Sequence, residues 1–104
     1  MKVYIKSKKN NIDAVGDFNI NTRELIVLKN SKVSDNIAHS ERFRGSKSIE
    51  RQRNGKLKDN ILLENVLFKS PSTAANFVTG RSTNGLIAWK NKDGKTIKEL
   101  VNEG

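Results

Sequence analysis

The chain has 104 residues, the size of one ordinary domain, with 35% apolar and 30% charged residues. It contains no cysteine, which excludes disulfides, zinc–cysteine sites and thiol chemistry. The net charge is +9 and the pI about 10.1, a balance that favours polyanionic partners: nucleic acid first, an acidic protein or membrane surface second.

Lys2–Lys6 alternates strictly and predicts a strand. Val3 and Ile5 share its inner face, while Tyr4 points away with Lys2 and Lys6 beside it. Ser7–Asn11 is polar and basic, a loop. In the next strand, Ala14–Ile20, one side carries Ala14, Gly16, Phe18 and Ile20, and Asn21-Thr22 supplies a hairpin turn. Glu24–Lys29 contains Leu25-Ile26-Val27-Leu28, apolar on both faces, as in a strand central to a sheet.

Asn30–Asp59 is polar and rich in serine and glycine, and is expected to be a mobile basic segment. Between Arg42 and Lys58 it carries Arg42, Arg44, Lys47, Arg51, Arg53, Lys56 and Lys58 with one acid, Glu50, so those seventeen residues hold +6 of the net charge. Ser46 opens a short helix running to about Arg53 and ended by Asn54-Gly55. On it Arg44, Lys47 and Arg51 share one face, and Ile49 is the only apolar residue.

Asn65–Lys69 reads as a strand. Ser70-Pro71 then starts a helix: the serine hydroxyl accepts an orphan backbone N–H, and proline fits the first helical position. Ala74, Phe77 and Val78 form its apolar face and Gly80 ends it. Asn84-Gly85 predicts a tight turn, Leu86–Lys90 a strand, and Asp93-Gly94 a second turn. Thr96 and Glu99 form a capping box for a last helix that buries Ile97, Leu100 and Val101.

Phe68-Lys69-Ser70-Pro71-Ser72-Thr73-Ala74-Ala75, Gly80, Asn84-Gly85, Trp89-Lys90 and Asp93-Gly94-Lys95-Thr96 together resemble the bacterial domain of unknown function 4357. Ala14-Val15-Gly16 and Ile26–Ser31 are similar to its N-terminal strands, whereas Arg51–Gly55 departs from the leucine-bearing central helix usual there. The resemblance implies an accessory module of GIY-YIG nucleases or restriction–modification proteins. It implies no activity of its own, and no GIY-YIG motif occurs in the chain.

Catalytic signals are poor. His39 is the only histidine and sits in a polar stretch, where a solvated role is the simpler one. Asp93-Gly94-Lys95 has the D-x-K pattern of metal-dependent nucleases, with Asp13 or Asp17 as the second acid, but Asp-Gly is also ordinary turn chemistry. No metal site, cofactor or catalytic residue is expected. Trp89 is expected in the core, which leaves Tyr4 as the better stacking candidate.

The expected fold is α+β: an antiparallel sheet of about four to five strands with two or three short helices packed on one face. The expected protein is a single domain over residues 1–104, cytoplasmic, with no signal peptide and no membrane association. The expected function is non-catalytic binding of nucleic acid, DNA foremost. Arg42, Arg44, Lys47, Arg51, Arg53, Lys56 and Lys58 would contact phosphates beside a nuclease or methyltransferase partner. The alternative is a protein-interaction module of a restriction or phage-defence system that does not touch DNA.

Overall fold

In the computed structural model, residues 1–35, 37 and 46–103 are described. Three strands open the chain: β1 (Lys2–Ser7), β2 (Ile12–Phe18) and β3 (Leu25–Val27). Helix α1 (Ser46–Arg53) follows, then the short strands β4 (Leu57–Lys58), β5 (Ile61–Leu62) and β6 (Val66–Phe68). Three helices close the order: α2 (Pro71–Thr79), α3 (Gly85–Ala88) and α4 (Ile97–Glu103). The class is α+β, as the hydrophobic periodicity predicts.

The main sheet is antiparallel with the order β1-β2-β3-β6. Its register explains the alternation in sequence. Val3 faces Gly16, Gly16 faces Val27, Phe18 faces Leu25, and Leu25 faces Phe68. Directly opposed residues project to the same side. One face therefore carries Val3, Ile5, Ala14, Phe18, Leu25, Val27 and Phe68, all buried, and α2 packs across it onto β2, β3 and β6. Ring contact between Phe68 and Phe77, 5.1 Å between centroids, joins edge strand to helix.

Local chemistry ends the elements where expected. Ser70 Oγ accepts from the Thr73 amide at 3.2 Å, Pro71 occupies the first turn, and Gly80 closes α2 in the left-handed conformation at φ 75°. Thr96 and Glu99 make the reciprocal capping box of α4, with the Glu99 amide donating to Thr96 Oγ1 and the Thr96 amide to Glu99 Oε1. In α4 Ile97 is fully buried, while Leu100 and Val101 are only half-buried. Ile20 falls beyond the end of β2 and is exposed.

Leu86–Lys90 does not form the expected strand. Asn84 instead caps α3, its Oδ1 accepting from the Leu86 amide at 3.1 Å, and the Gly85 amide donates to Ser72 Oγ at 3.0 Å. Gly85 is required by proximity, not by φ. A Cβ there would lie 2.1 Å from the Pro71 carbonyl carbon, so only glycine lets α3 rest on the start of α2. What remains of the strand is one bridging residue, Lys90, which exchanges backbone hydrogen bonds with Tyr4 at 2.7 and 3.1 Å.

The segment 30–59 contains regular structure, α1 and β4, and β4 with β5 forms a hairpin the sequence reading did not anticipate. Asp59 and Asn60 both adopt positive φ, 54° and 65°, the pattern of a type I′ turn, which short polar side chains tolerate. The hairpin joins the main sheet through Lys32, which bridges Asp13 on one side and Ile61 on the other. Ser31 covers the irregularity before it: its buried hydroxyl accepts from the Val15 amide at 3.0 Å and lies 3.3 Å from the Val15 carbonyl.

Candidate nucleic-acid interface

The seven basic residues singled out in the sequence separate into distinct environments. Arg42 and Arg44 lie outside the described residues, as does His39. Lys47 and Arg51, one helical turn apart, are exposed on the outer side of α1. Lys58 is exposed on the β4–β5 hairpin opposite Ile61, and Lys56 is half-buried. Among the described residues no carboxylate lies within ion-pair distance of Lys47, Arg51 or Lys58.

Arg53 departs from the expectation of a surface cation. Its side chain is buried, and its guanidinium is spent on backbone carbonyls. Nε and Nη2 donate to the Phe77 carbonyl at 3.1 and 2.6 Å, Nη1 to the Ser34 carbonyl at 3.1 Å, and Nη2 also to Val78 O and Ser34 Oγ at 3.3 Å. Phe77 and Val78 belong to the last turn of α2, whose carbonyls have no partner within the helix. A fixed cation there satisfies them and complements the negative end of the helix dipole. Burial lowers the guanidinium pKa to about 10, so it remains charged at neutral pH. Arg53 is thus the clasp between α1 and α2. Ile49 is the buried residue one turn before it, and that i, i+4 relation is the trace of this role in the sequence.

The remaining basic surface is on the sheet, where sequence reasoning placed only Lys2 and Lys6, beside Tyr4. The face opposite the core holds a continuous cross-strand row: Lys6 opposite Asp13, Asp13 opposite Lys32, Lys32 opposite Ile61, and Ile61 opposite Lys58. A parallel row runs Thr96, Lys90, Tyr4, Val15. Lys58 therefore shares a surface with β1 lysines far from it in sequence. At the other end of this face the character changes: Asp17, held by the Met1 amino group at 2.8 Å, lies with Glu24, Ile26 and exposed Leu67. That amino group, through its hydrogen bond to the carboxylate, keeps the Asp17 pKa below its ordinary value.

Asp93-Gly94-Lys95 forms a turn closed on Asn91, whose Oδ1 accepts from the Asp93 and Lys95 amides at 3.0 Å each, with Gly94 at φ 83°. Among the described residues no group of three histidine, aspartate or glutamate side chains is placed to hold a metal, and no helix is long and apolar enough to cross a membrane.

Fold and surface together define a small basic α+β domain, helices on one sheet face and lysines on the other. Its sequence matches the family model of the domain of unknown function DUF4357 over residues 3–101, nearly the whole chain, and the chain belongs to that family. No curated protein and no solved structure matches it.

Proposed function

We propose that this domain binds nucleic acid, DNA foremost, by its phosphate backbone and without catalysis, as an accessory module working beside a nuclease or methyltransferase. The observation that carries the reading is the exposure of Lys47, Arg51 and Lys58 with no carboxylate partner among the described residues, on a chain of net charge +9. Unpaired surface cations release the counterions of a polyanion at little desolvation cost. Backbone contacts of this kind position a protein without reading sequence. Association with DNA-cutting or restriction–modification enzymes comes from the family resemblance, and a cytoplasmic location goes with it.

The experiment is a salt titration of the purified domain on random duplex, single strand and heparin. Affinity that falls steeply with salt on DNA supports the proposal. Absence of binding to any nucleic acid at low salt overturns it and favours a role in protein interaction.

A further inference from the structure

A groove of about 530 Å³ lies between the β1 edge and the Ala88–Gly94 segment, lined by Tyr4, Lys6, Ala88, Lys90, Lys92 and Gly94 among others. It arises because the backbone join between Tyr4 and Lys90 is only one residue long; beyond it the chain turns away through Asn91–Gly94. Tyr4 is half-buried in this groove, and Lys6, Lys90 and Lys92 are exposed around it. From the groove the lysine row of the sheet continues through Lys32 to Lys58, a span of about 20 Å at the usual strand spacing.

We propose that this open sheet face is a binding site for single-stranded nucleic acid, with one unpaired base stacked on Tyr4 and the flanking phosphates held by Lys6, Lys90 and Lys92. The inference rests on the nucleic-acid reading above, shares only Lys58 with its surface, and names the strandedness of the ligand. An aromatic side chain set low among cations reaches a base only when that base is free of its own stack, which selects single strands over duplex. Lys6 Nζ now stands 5.3 Å from the Tyr4 ring centroid. At an exposed site this cation–π contact is weaker than base stacking. The flexible lysine stem lets the ammonium swing to a phosphate as the base takes its place. Acidic groups on the same face do not close the site. Asp13 stands between Lys6 and Lys32 in the row, and Asp17 and Glu24 lie at the opposite, apolar end.

The test uses the whole chain, an oligothymidine strand of about 10 nucleotides, within the range such sites cover, and a duplex of similar length. Tyr4→Ala is expected to weaken single-strand binding roughly 5- to 150-fold, the worth of one stacked base, with duplex binding unchanged. Tyr4→Phe keeps the ring and is expected to bind as wild type. Lys6→Gln with Lys90→Gln is expected to flatten the single-strand salt dependence by about 1.4 log units per log unit of salt, at about 0.7 per phosphate. Photo-crosslinking of a bromouracil-substituted strand to the unaltered protein needs no variant to fold, and its adduct is expected on residues 2–6. A folded Tyr4→Ala protein that binds single strands as wild type does, an adduct mapped only elsewhere, or no adduct at all overturns the inference. The Lys47→Gln, Arg51→Gln variant on duplex tests the phosphate-binding proposal separately, because neither residue belongs to this face. Duplex binding without single-strand binding would leave that proposal standing and remove this one.

Discussion

The indole N–H of Trp89 donates to the carbonyl of Pro71 at 3.0 Å, both residues buried and 18 positions apart. That bond fixes the end of α3 against the first turn of α2. The ring lies over β2 at Gly16, where an added Cβ would come within 3.2 Å of it. Trp89→Ala is expected to cost about 3–5 kcal/mol, the range for emptying a buried aromatic site. Trp89→Phe refills part of the volume but removes the indole donor to the Pro71 carbonyl, at about 0.5–1.5 kcal/mol for the lost bond. Urea unfolding measures both. Native fluorescence as red as that of free tryptophan would contradict the burial.

Gly85 and Gly94 make a controlled comparison. Gly85→Ala drives a methyl into the Pro71 backbone and is expected to cost about 3 kcal/mol or more, since neither helix end can yield freely. At Gly94 there is open space but φ is 83°, so Gly94→Ala is expected to cost only about 1–2 kcal/mol of conformational strain. Thermal melts of the two variants would refute the packing argument if their order were reversed.

The Ser70 cap is worth less. Ser70→Ala removes the acceptor for the Thr73 amide and is expected to cost about 1 kcal/mol, with Ser70→Gly milder. Nucleic-acid binding by the folded variant should be unchanged. Normal stability with lost binding would place Ser70 in the interface instead.

Arg53 is expected to behave as a structural residue. Arg53→Gln leaves carbonyls of Phe77, Val78 and Ser34 without their charged donor and should destabilise by about 3 kcal/mol. Arg53→Lys is expected to fail as well, because an ammonium lacks the planar fork. The pH dependence follows from burial. With the folded pKa lowered to about 10, below the ordinary guanidinium value, the unfolded chain binds more protons between those two values. The desolvation cost is therefore full at neutral pH and is relieved only as pH rises above about 10, so Arg53 should add no slope to stability between pH 6 and 9. A stability slope in that range that Arg53→Gln abolishes would refute this assignment.

The exposed cations should behave differently. Replacing Lys47, Arg51 and Lys58 with glutamine should leave the melting temperature nearly unchanged. If each meets one phosphate of a duplex, the log-affinity against log-salt slope should flatten by about 2.7, at about 0.9 per phosphate. The loss should be equal on unrelated sequences. A slope that matches wild type sinks the assignment.

What could be read in advance was the local part of the fold. The alternation in Lys2–Lys6 and the Ser70, Gly80 and Thr96–Glu99 signals depend on neighbours a few residues away, and each stands in the structure. Asn84-Gly85 misled because a turn and a helix cap use the same asparagine chemistry; the choice rests on Ser72 and Pro71, brought close by α2. The β4–β5 hairpin was hidden by two-residue strands and an Asp-Asn turn in place of the commoner Asn-Gly. Arg53 looked like its basic neighbours because the carbonyls that bury it exist only once α2 has ended beside it. The lysine row crosses the sheet through the isolated pairing of Lys32, which no periodicity announces.

The side-chain oxygen of Asn65 accepts from the Lys29 amide at 2.7 Å, across 36 positions, at the point where β6 returns to β3. β1 and β2, by contrast, pair through a tight reversal at Lys8–Asn11. Folding should begin in that first hairpin, with β6 docking late, because the long connection between Lys29 and Asn65, which carries α1, β4 and β5, must close before its contacts reward it. Closure entropy grows only logarithmically, so each doubling of a flexible connection costs just about 0.6 kcal/mol. Lengthening the connection between Lys29 and Asn65 should therefore slow folding more than it weakens the folded domain.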